Sequence, residues 1–423
     1  MSPLPPELLP DTAAVSAAGH LVIGGCDTLG LAAQFGTPLF AYDVAHLRSR
    51  CREARQAFGD GAVYAAKAFL CKAMAQLVDE EGLRIDVATG GELHTALAAG
   101  VEPTRLVMHG NNKSLAELRA AVDAGVGRIV VDSFDELDRL EGIVAGRDQA
   151  VSVLLRITPG VEAHTHEFTA TGHDDTKFGF TVSSGLAAEA VARARSIAGL
   201  EVRGLHAHIG SQVFRVDSFA EALGVVADFA APYGFDEMVT GGGLGVAYVA
   251  GERAPTLTEW AEVLREAQRR SGVTARLSVE PGRAIVAAAA VTLYTVGTIK
   301  ELPGIRTYVA VDGGMSDNPR PVLYDSGYET FLPRAVESER GKSIRLVGKH
   351  CESGDVLVRS GRVPADLRVG DIIATPVTGA YGHSMGSNYN KVPRPAVVFV
   401  ENGEARLVVR RETYDDLLAT DLG

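Results

Sequence analysis

The chain has 423 residues, of which 46% are hydrophobic and 22% charged, and its formal net charge is −12. This composition is typical of a folded globular protein, and the length is sufficient for two hydrophobic cores. The acidic balance, without any basic run, argues against nucleic acid or an anionic membrane surface as a partner. The longest nearly apolar run, residues 284–296, is too short to span a bilayer.

The N-terminus and the cysteines predict a cytoplasmic protein without a metal site. The opening segment MSPLPPELLP lacks the basic start and the apolar stretch of a secretory signal. The four cysteines are scattered, contain no CxxC pair and complete no zinc pattern with a histidine. Few, isolated cysteines are typical of proteins in a reducing compartment.

Short strands and amphipathic helices alternate through most of the first 285 residues. Residues 1–37 are Pro-rich and then mixed, and they predict an arm with one or two strands. Ser114 and Gly125 are a candidate cap and stop for one of the helices that follow. A long insertion at 160–180 follows the fifth strand segment. Eight strand segments are predicted, at 62–68, 84–88, 105–110, 128–133, 151–159, 202–210, 236–243 and 276–282.

The apolar character of these segments predicts strands that are buried on both faces, as in a parallel sheet. Right-handed crossovers leave two architectures open, a doubly wound sheet and a closed (β/α)8 barrel, and eight successive units favour the barrel. After Ala284 the chain contains short strand patterns with turn signals and no long helical pattern, which predicts an all-β domain. We therefore predict a barrel over 38–285 and a β domain over 286–423.

Polar residues gather where the predicted barrel strands end. In such barrels the active site lies at the C-terminal ends of the strands. The residues at these positions are Lys67, Asp86, His109, Arg156, His206, His208, Gly241, Gly242, Gly243 and the segment Glu280, Pro281, Gly282, Arg283. A candidate active site is expected there.

Lys67 is followed and preceded by apolar residues, and an ammonium in such surroundings has a lowered pKa because desolvation disfavours its charged form. A neutral lysine is the nucleophile that forms a Schiff base, although a lysine at a strand end can equally extend into solvent. The glycines at 241–243 and the Gly-Arg pair at 282–283 offer N–H groups and a positive charge where barrels frequently hold a phosphate. Together these features suggest pyridoxal 5′-phosphate (PLP), an aldehyde with a phosphate.

Three further side chains are candidates for the site, and two of them permit two interpretations. Glu280 could face the pyridine nitrogen of the cofactor and keep it protonated. His208 could lie flat on the cofactor ring, or it could be a core histidine. Cys351 could be a reactive thiol, or a small buried apolar residue.

Seven segments of the sequence jointly resemble the PLP-dependent decarboxylases of fold type III, the alanine-racemase-like group. They occur in that family's order and extend over most of the chain. The segments are YAAKA around Lys67, HAHIGSQ at 206–212, GGGLG at 241–245, EPGR at 280–283, DGGMSDNPRPVLY at 312–324, GKHCESGD at 348–355 and GAY with SNYN at 379–390.

The resemblance implies a barrel followed by a β-sandwich or barrel-like C-terminal domain, against which residues 1–37 pack. It also implies roles for individual residues. The expected cofactor-binding residues are Lys67 as the Schiff base, His208 on the ring, Glu280 at the ring nitrogen, and Ser211, Gly241, Gly242, Gly243, Pro281, Gly282, Arg283 and Tyr381 around the phosphate. The expected substrate-binding residues are Arg283, Arg320 and Tyr324 for a distal carboxylate, Glu352 for a distal ammonium, and Tyr381. Cys351 would be the proton donor.

In the family, Cys351 and Glu352 come from the second subunit, so the resemblance implies a homodimer with shared active sites. A distal arginine pair together with a glutamate fits a substrate that carries both a carboxylate and an ammonium, which is the case for meso-2,6-diaminopimelate. Its decarboxylation would give L-lysine and CO2.

Three alternatives remain at the sequence level: a same-fold decarboxylase of another or a carrier-bound amino acid, a non-catalytic PLP-binding homologue, and a barrel without a cofactor.

Overall fold

A computed structural model of the chain describes residues 4–161 and 172–423, and residues 162–171 of the predicted insertion lie outside the described residues. Its strands are β1 (Ala14–Val15), β2 (Leu21–Ile23), β3 (Cys26–Asp27), β4 (Leu39–Asp43), β5 (Val63–Ala65), β6 (Arg84–Val87), β7 (Leu106–Met108), β8 (Arg128–Val131), β9 (Val151–Thr158), β10 (Phe180–Thr181), β11 (Leu200–His206), β12 (Glu237–Val239), β13 (Arg276–Ser278), β14 (Ala290–Leu302), β15 (Arg306–Val311), β16 (Lys342–Val347), β17 (Val356–Val363), β18 (Ile372–Pro376), β19 (Ala396–Glu401) and β20 (Glu404–Val409). Its α-helices are α1 (Thr28–Phe35), α2 (Val44–Phe58), α3 (Lys72–Glu80), α4 (Gly90–Ala98), α5 (Leu115–Ala124), α6 (Phe134–Val144), α7 (Leu186–Ser196), α8 (Asp217–Ala230), α9 (Leu257–Ser271), α10 (Arg283–Val286), α11 (Arg320–Leu323) and α12 (Tyr414–Leu418).

The described residues divide into two compact units. The barrel unit consists of Cys51–Gly245 and Ala254–Ala284. The sheet unit consists of the described residues up to Arg50 together with Val246–Arg253 and Ile285–Gly423.

The barrel unit contains all eight predicted parallel strands, in the order β5-β6-β7-β8-β9-β11-β12-β13, with the short β10 paired to β9. The two ends of this order meet, because Ala62 forms a parallel bridge with Val279 and the Val63 N–H donates to the Val279 carbonyl at 3.0 Å. This closure confirms the predicted barrel over the doubly wound sheet. Inside it, an apolar cluster is contributed by one residue from each of five strands, namely Val63, Val107, Val130, Leu154 and Val239.

Local capping signals set the two ends of helix α5 as predicted. Ser114 accepts a hydrogen bond from the Glu117 N–H, and Glu117 reaches back to the Ser114 N–H, which forms a complete capping box at the start of α5. Gly125 ends the same helix in the left-handed conformation, at φ 77°. Both ends of α5 are therefore fixed by residues next to it in sequence.

The sheet unit has one large sheet, in the order β17-β16-β15-β14-β4-β19-β20, with β18 also paired to β14. All seven strands after residue 285 were predicted as a β domain. Strand β4 comes from the N-terminal region and from within the range predicted for the barrel, yet it pairs antiparallel with β14 and parallel with β19. All five of its residues are buried.

The N-terminal segment forms a small antiparallel sheet of three strands, β1-β2-β3, followed by α1. Thr12 in this segment donates to the buried carboxylate of Asp43 from both its backbone N–H, at 3.1 Å, and its hydroxyl, at 2.7 Å. Within the described part of the chain, no helix is both long and apolar enough to cross a membrane.

Candidate active site

Lys67 lies in a short 3-10 turn, Ala66–Ala68, directly after strand β5. Ala66 and Ala68 are buried, whereas Lys67 is exposed. The Lys67 ammonium acts on ionisable groups of the barrel. It contributes to lowering the pKa of His208 and opposes the rise in the pKa of Asp86 that burial causes.

Glu280, which follows β13, is buried between two histidines from other strand ends. Its Oε1 lies 2.9 Å from His109 Nε2, and its Oε2 lies 3.0 Å from His206 Nε2. Although burial alone would raise the pKa of Glu280, these two histidines hold it well below its ordinary value. The carboxylate is therefore ionised, as the predicted role at a pyridine nitrogen requires.

The predicted glycine segment packs directly against His208. A Cβ on Gly241 would lie 2.6 Å from His208 Nδ1, and a Cβ on Gly242 would lie 2.0 Å from the Glu280 carbonyl oxygen. Gly243, at φ +108°, would place a Cβ 1.9 Å from the Gly210 carbonyl oxygen. Burial, with the charge of Lys67, lowers the pKa of His208 well below 6.5, so this imidazole is neutral at pH 7.

The segment 281–283 joins the last barrel strand to the first. The Ala65 N–H donates to the Pro281 carbonyl at 3.2 Å, and a Cβ on Gly282 would lie 2.9 Å from the Ala65 carbonyl oxygen. Arg283 is buried and donates from a terminal nitrogen to the Ser211 hydroxyl at 2.8 Å. The structure thus brings the predicted Ser211 and Arg283 into direct contact.

The remaining predicted residues lie in the sheet unit, where Arg320 is held by aromatic rings. Arg320 is buried, its guanidinium carbon lies 4.0 Å from the centre of the Tyr248 ring, and it donates a hydrogen bond to the Tyr328 hydroxyl. Such stacking fixes the plane of a guanidinium. Tyr324 directly follows the short helix α11, donates its N–H to the Arg320 carbonyl at 2.9 Å and is half-buried.

Cys351 and Glu352 lie on the connection between β16 and β17, and both are exposed. The exposure of Cys351 removes the interpretation of this thiol as a buried apolar residue. Glu352 accepts a hydrogen bond from the Gly354 N–H at 3.2 Å. Tyr381 is half-buried with a left-handed backbone, at φ 57°.

Sequence reasoning placed His109 and His206 at the strand ends but assigned them no role, and it missed Tyr248 and Tyr328 altogether. The two histidines could have been found by position, because they end strands on either side of the predicted Glu280. With Glu280 they also form a group whose three ligand atoms lie within 4.8 Å of one another, although no metal site was predicted. The two tyrosines carry no signal in the sequence, because each packs on Arg320 from elsewhere in the chain.

Comparison with known proteins identifies the class. The family model described as the pyridoxal binding domain of pyridoxal-dependent decarboxylases matches residues 44–287, which is more than half of the chain. The fold, the lysine at a strand end and the glycine segment thus belong to a barrel that binds pyridoxal phosphate.

Full-length relatives identify the family within this class of pyridoxal-dependent decarboxylases. A diaminopimelate decarboxylase of Mycobacterium tuberculosis is 47% identical over 99% of this chain and 98% of its own length. That of Bacillus subtilis is 46% identical over 96% of this chain and 95% of its own length. The crystal structure of an M. jannaschii diaminopimelate decarboxylase with L-lysine superimposes with a TM-score of 0.89 at 32% identity, covering 98% of each chain. The chain belongs to the diaminopimelate decarboxylase family.

Proposed function

We propose that this protein uses PLP to decarboxylate meso-2,6-diaminopimelate to L-lysine and CO2, the last step of lysine synthesis. The observation that carries the proposal is full-length similarity to diaminopimelate decarboxylases, in a chain that retains the lysine, glutamate, arginine and cysteine of the predicted site. The scattered cysteines, three buried and one exposed, fit the cytoplasm as its location.

The rim of the barrel fits the cofactor. The N–H groups of Gly242 and Gly243 donate to no backbone carbonyl within the described residues, so they are available to an anion. The absence of Cβ atoms there permits the backbone to approach a phosphate closely, and Arg283 adds a fixed positive charge. Lys67 would supply the amine that holds the cofactor aldehyde. When bound, the cofactor accepts the electron pair that the broken Cα–CO2 bond leaves behind.

Two barrel residues would tune this chemistry. Glu280 is ionised and can accept a hydrogen bond from a protonated ring nitrogen, which favours electron withdrawal. His208 is neutral and packed on Gly241, so an uncharged ring borders the glycine segment. Its neutrality avoids a second positive charge beside a protonated cofactor ring.

Substrate recognition is proposed for the sheet unit and for Arg283. The planar Arg320, fixed by Tyr248 and Tyr328, suits bidentate binding of the distal carboxylate, with Tyr324 and Tyr381 as neighbouring hydroxyl donors. Glu352 would bind the distal ammonium.

Cys351 would deliver the proton to Cα after CO2 leaves. We infer a homodimer in which Cys351 and Glu352 serve the active site of the other subunit. Their exposure on the β16–β17 connection supports this inference, because exposed side chains can enter a second copy. A mixture of the inactive variants Lys67→Ala and Cys351→Ala would then regain about a quarter of the wild-type activity, since random mixed dimers contain one intact site. No recovery in mixtures shown to exchange subunits would contradict the shared site.

The reaction itself is tested by incubating the PLP-loaded chain with meso-diaminopimelate, L-lysine and L-ornithine and measuring CO2 and amino-acid products. We expect CO2 and L-lysine from diaminopimelate alone, and no product from Lys67→Ala. Borohydride reduction followed by peptide mass spectrometry should find the cofactor on Lys67. CO2 release from lysine or ornithine, but not from diaminopimelate, would contradict the assigned substrate.

A further inference from the structure

The Glu280 carboxylate is held on both of its oxygens. His109 Nε2 lies 2.9 Å from one oxygen and His206 Nε2 lies 3.0 Å from the other, and all three side chains are buried. The two imidazole rings also contact each other edge to face, with centroids 5.0 Å apart at 72°. His206 forms a hydrogen bond with one oxygen and His109 an ion-pair contact with the other, and the two contacts restrict rotation of the carboxylate about its terminal torsion, which is otherwise broad.

Both histidines are fixed by the barrel rather than by flexible loops. His109 follows β7, and its backbone N–H donates to the Val87 carbonyl of β6 at 2.7 Å. His206 is the last residue of β11 and is in register with Arg156 on one side and Val239 on the other. The two imidazoles therefore reach Glu280 from rigid positions.

The pKa values of the two histidines shift in opposite directions. Burial lowers the pKa of His109, but the carboxylates of Glu280 and Asp86 outweigh burial and the net shift is upward. Burial lowers the pKa of His206 to about 4, so this ring is neutral at pH 7. Its Nδ1 meets no hydrogen-bond partner among the described residues, so the ring proton belongs on Nε2, which donates to Glu280.

We propose that His109 and His206 are positioning residues for Glu280, His206 through a hydrogen bond to Oε2 and His109 through an ion-pair contact with Oε1. Together they hold the carboxylate in one orientation, with acceptor capacity left for the ring nitrogen of the cofactor. The inference rests on the proposed binding of PLP but not on the identity of the amino-acid substrate.

A divalent metal is the competing occupant, because two histidines and a glutamate also form a zinc-type donor set. The observed distances favour direct contacts between the histidines and the carboxylate. Two ligands that each lie about 2.0–2.1 Å from a tetrahedral zinc are about 3.3 Å apart. Both nitrogen–oxygen distances at Glu280 are shorter, at 2.9 and 3.0 Å.

The test measures the dissociation constant for PLP by equilibrium dialysis of the full chain, with His109→Leu, His109→Gln, His206→Leu and His206→Gln. His94→Leu, at an exposed histidine of α4, is the matched control. Loss of the hydrogen bond in His206→Leu, or of the ion-pair contact in His109→Leu, should raise the dissociation constant about tenfold or more. His206→Gln should return to within about threefold of wild type because glutamine restores a neutral donor, whereas His109→Gln should recover less because the charge stays lost.

The proposal would be overturned if the leucine variants bound PLP as tightly as His94→Leu does. It would also be overturned if the two glutamine variants had the same dissociation constant for PLP. If thermal unfolding shows that a leucine variant is not folded, the dissociation constants of the two glutamine variants decide between the outcomes. Stoichiometric zinc in the purified wild type, with PLP affinity lost on chelation, would assign the cluster to a metal instead. Wild-type PLP binding without diaminopimelate decarboxylation would refute the proposed substrate and leave this proposal standing.

Discussion

Asp317, in the segment that precedes Arg320, is a buried carboxyl group with few hydrogen bonds to offset the loss of water. It is 1% exposed, its Oδ2 accepts the Gly314 N–H at 2.9 Å, and the Ser316 hydroxyl lies 3.4 Å from its Oδ1. Burial, with the negative charges of Asp312 and Asp355, raises the pKa of Asp317 from 3.8 to about 7. Replacement with asparagine keeps the acceptor for Gly314 and removes the ionisation.

The raised pKa gives a definite sign to the effect of pH. Between pH 3.8 and 7 the folded protein keeps the Asp317 proton while the unfolded chain releases it, so stability falls as pH rises through this window. At about 1.4 kcal/mol per pKa unit, the difference between the folded and unfolded pKa lowers the stability of the wild type by about 2 kcal/mol at pH 5 and about 4 kcal/mol at pH 8. Asp317→Asn avoids this cost, so its advantage over wild type should grow by about 2–3 kcal/mol from pH 5 to pH 8 and stay constant above.

The assay is urea unfolding followed by circular dichroism at several pH values between 5 and 9, for wild type and Asp317→Asn. The exposed Asp148→Asn is the matched control and should show no pH-dependent difference. A stability difference for Asp317→Asn that does not change with pH, or that shrinks as pH rises, would refute the argument that burial keeps this carboxyl protonated.

Three further substitutions test the site, and a fourth tests the stability of a helix. Gly243→Ala places a methyl group 1.9 Å from the Gly210 carbonyl oxygen and should abolish PLP binding, measured by visible absorbance; full cofactor loading would show that the segment can move. Gly224→Ala, inside α8 with nothing within 4 Å, should instead stabilise the chain by about 0.5–1 kcal/mol in urea unfolding, and destabilisation would reveal an unseen constraint. Cys351→Ala should keep the cofactor absorbance and lose most turnover, so full activity would exclude it as the proton donor. Arg320→Ala should raise KM and lower kcat/KM for diaminopimelate, and unchanged kinetics would remove it from the substrate site.

The barrel could be predicted because its strands carry a local signal. Segments such as Val151–Thr158 contain an apolar run, here Val153, Leu154 and Leu155, and such a run is typical of a parallel strand that is buried on both faces. Leu39–Asp43 carries the same signal but belongs to another sheet. Its partners lie hundreds of residues further on, so no local pattern could have assigned it.

For the site, the sequence predicted which residues lie at the ends of the barrel strands. Lys67 and Glu280 followed from that rule alone. The contacts of Glu280 with His109 and His206 depend on strand register and side-chain rotamers, which are set only when the barrel closes. The packing of Arg320 on Tyr248 is likewise tertiary.

The position of β4 has a consequence for biosynthesis on the ribosome. The barrel unit is complete once residue 284 has been made, whereas Leu39–Asp43 must wait for β14 and, last, for β19 at Ala396–Glu401. Until then an apolar strand with two open edges is unpaired in the nascent chain, which is a hazard for aggregation. A premature stop before Ala396 would leave one edge of this strand permanently uncovered, so truncated products should aggregate even though every residue of the barrel unit is present.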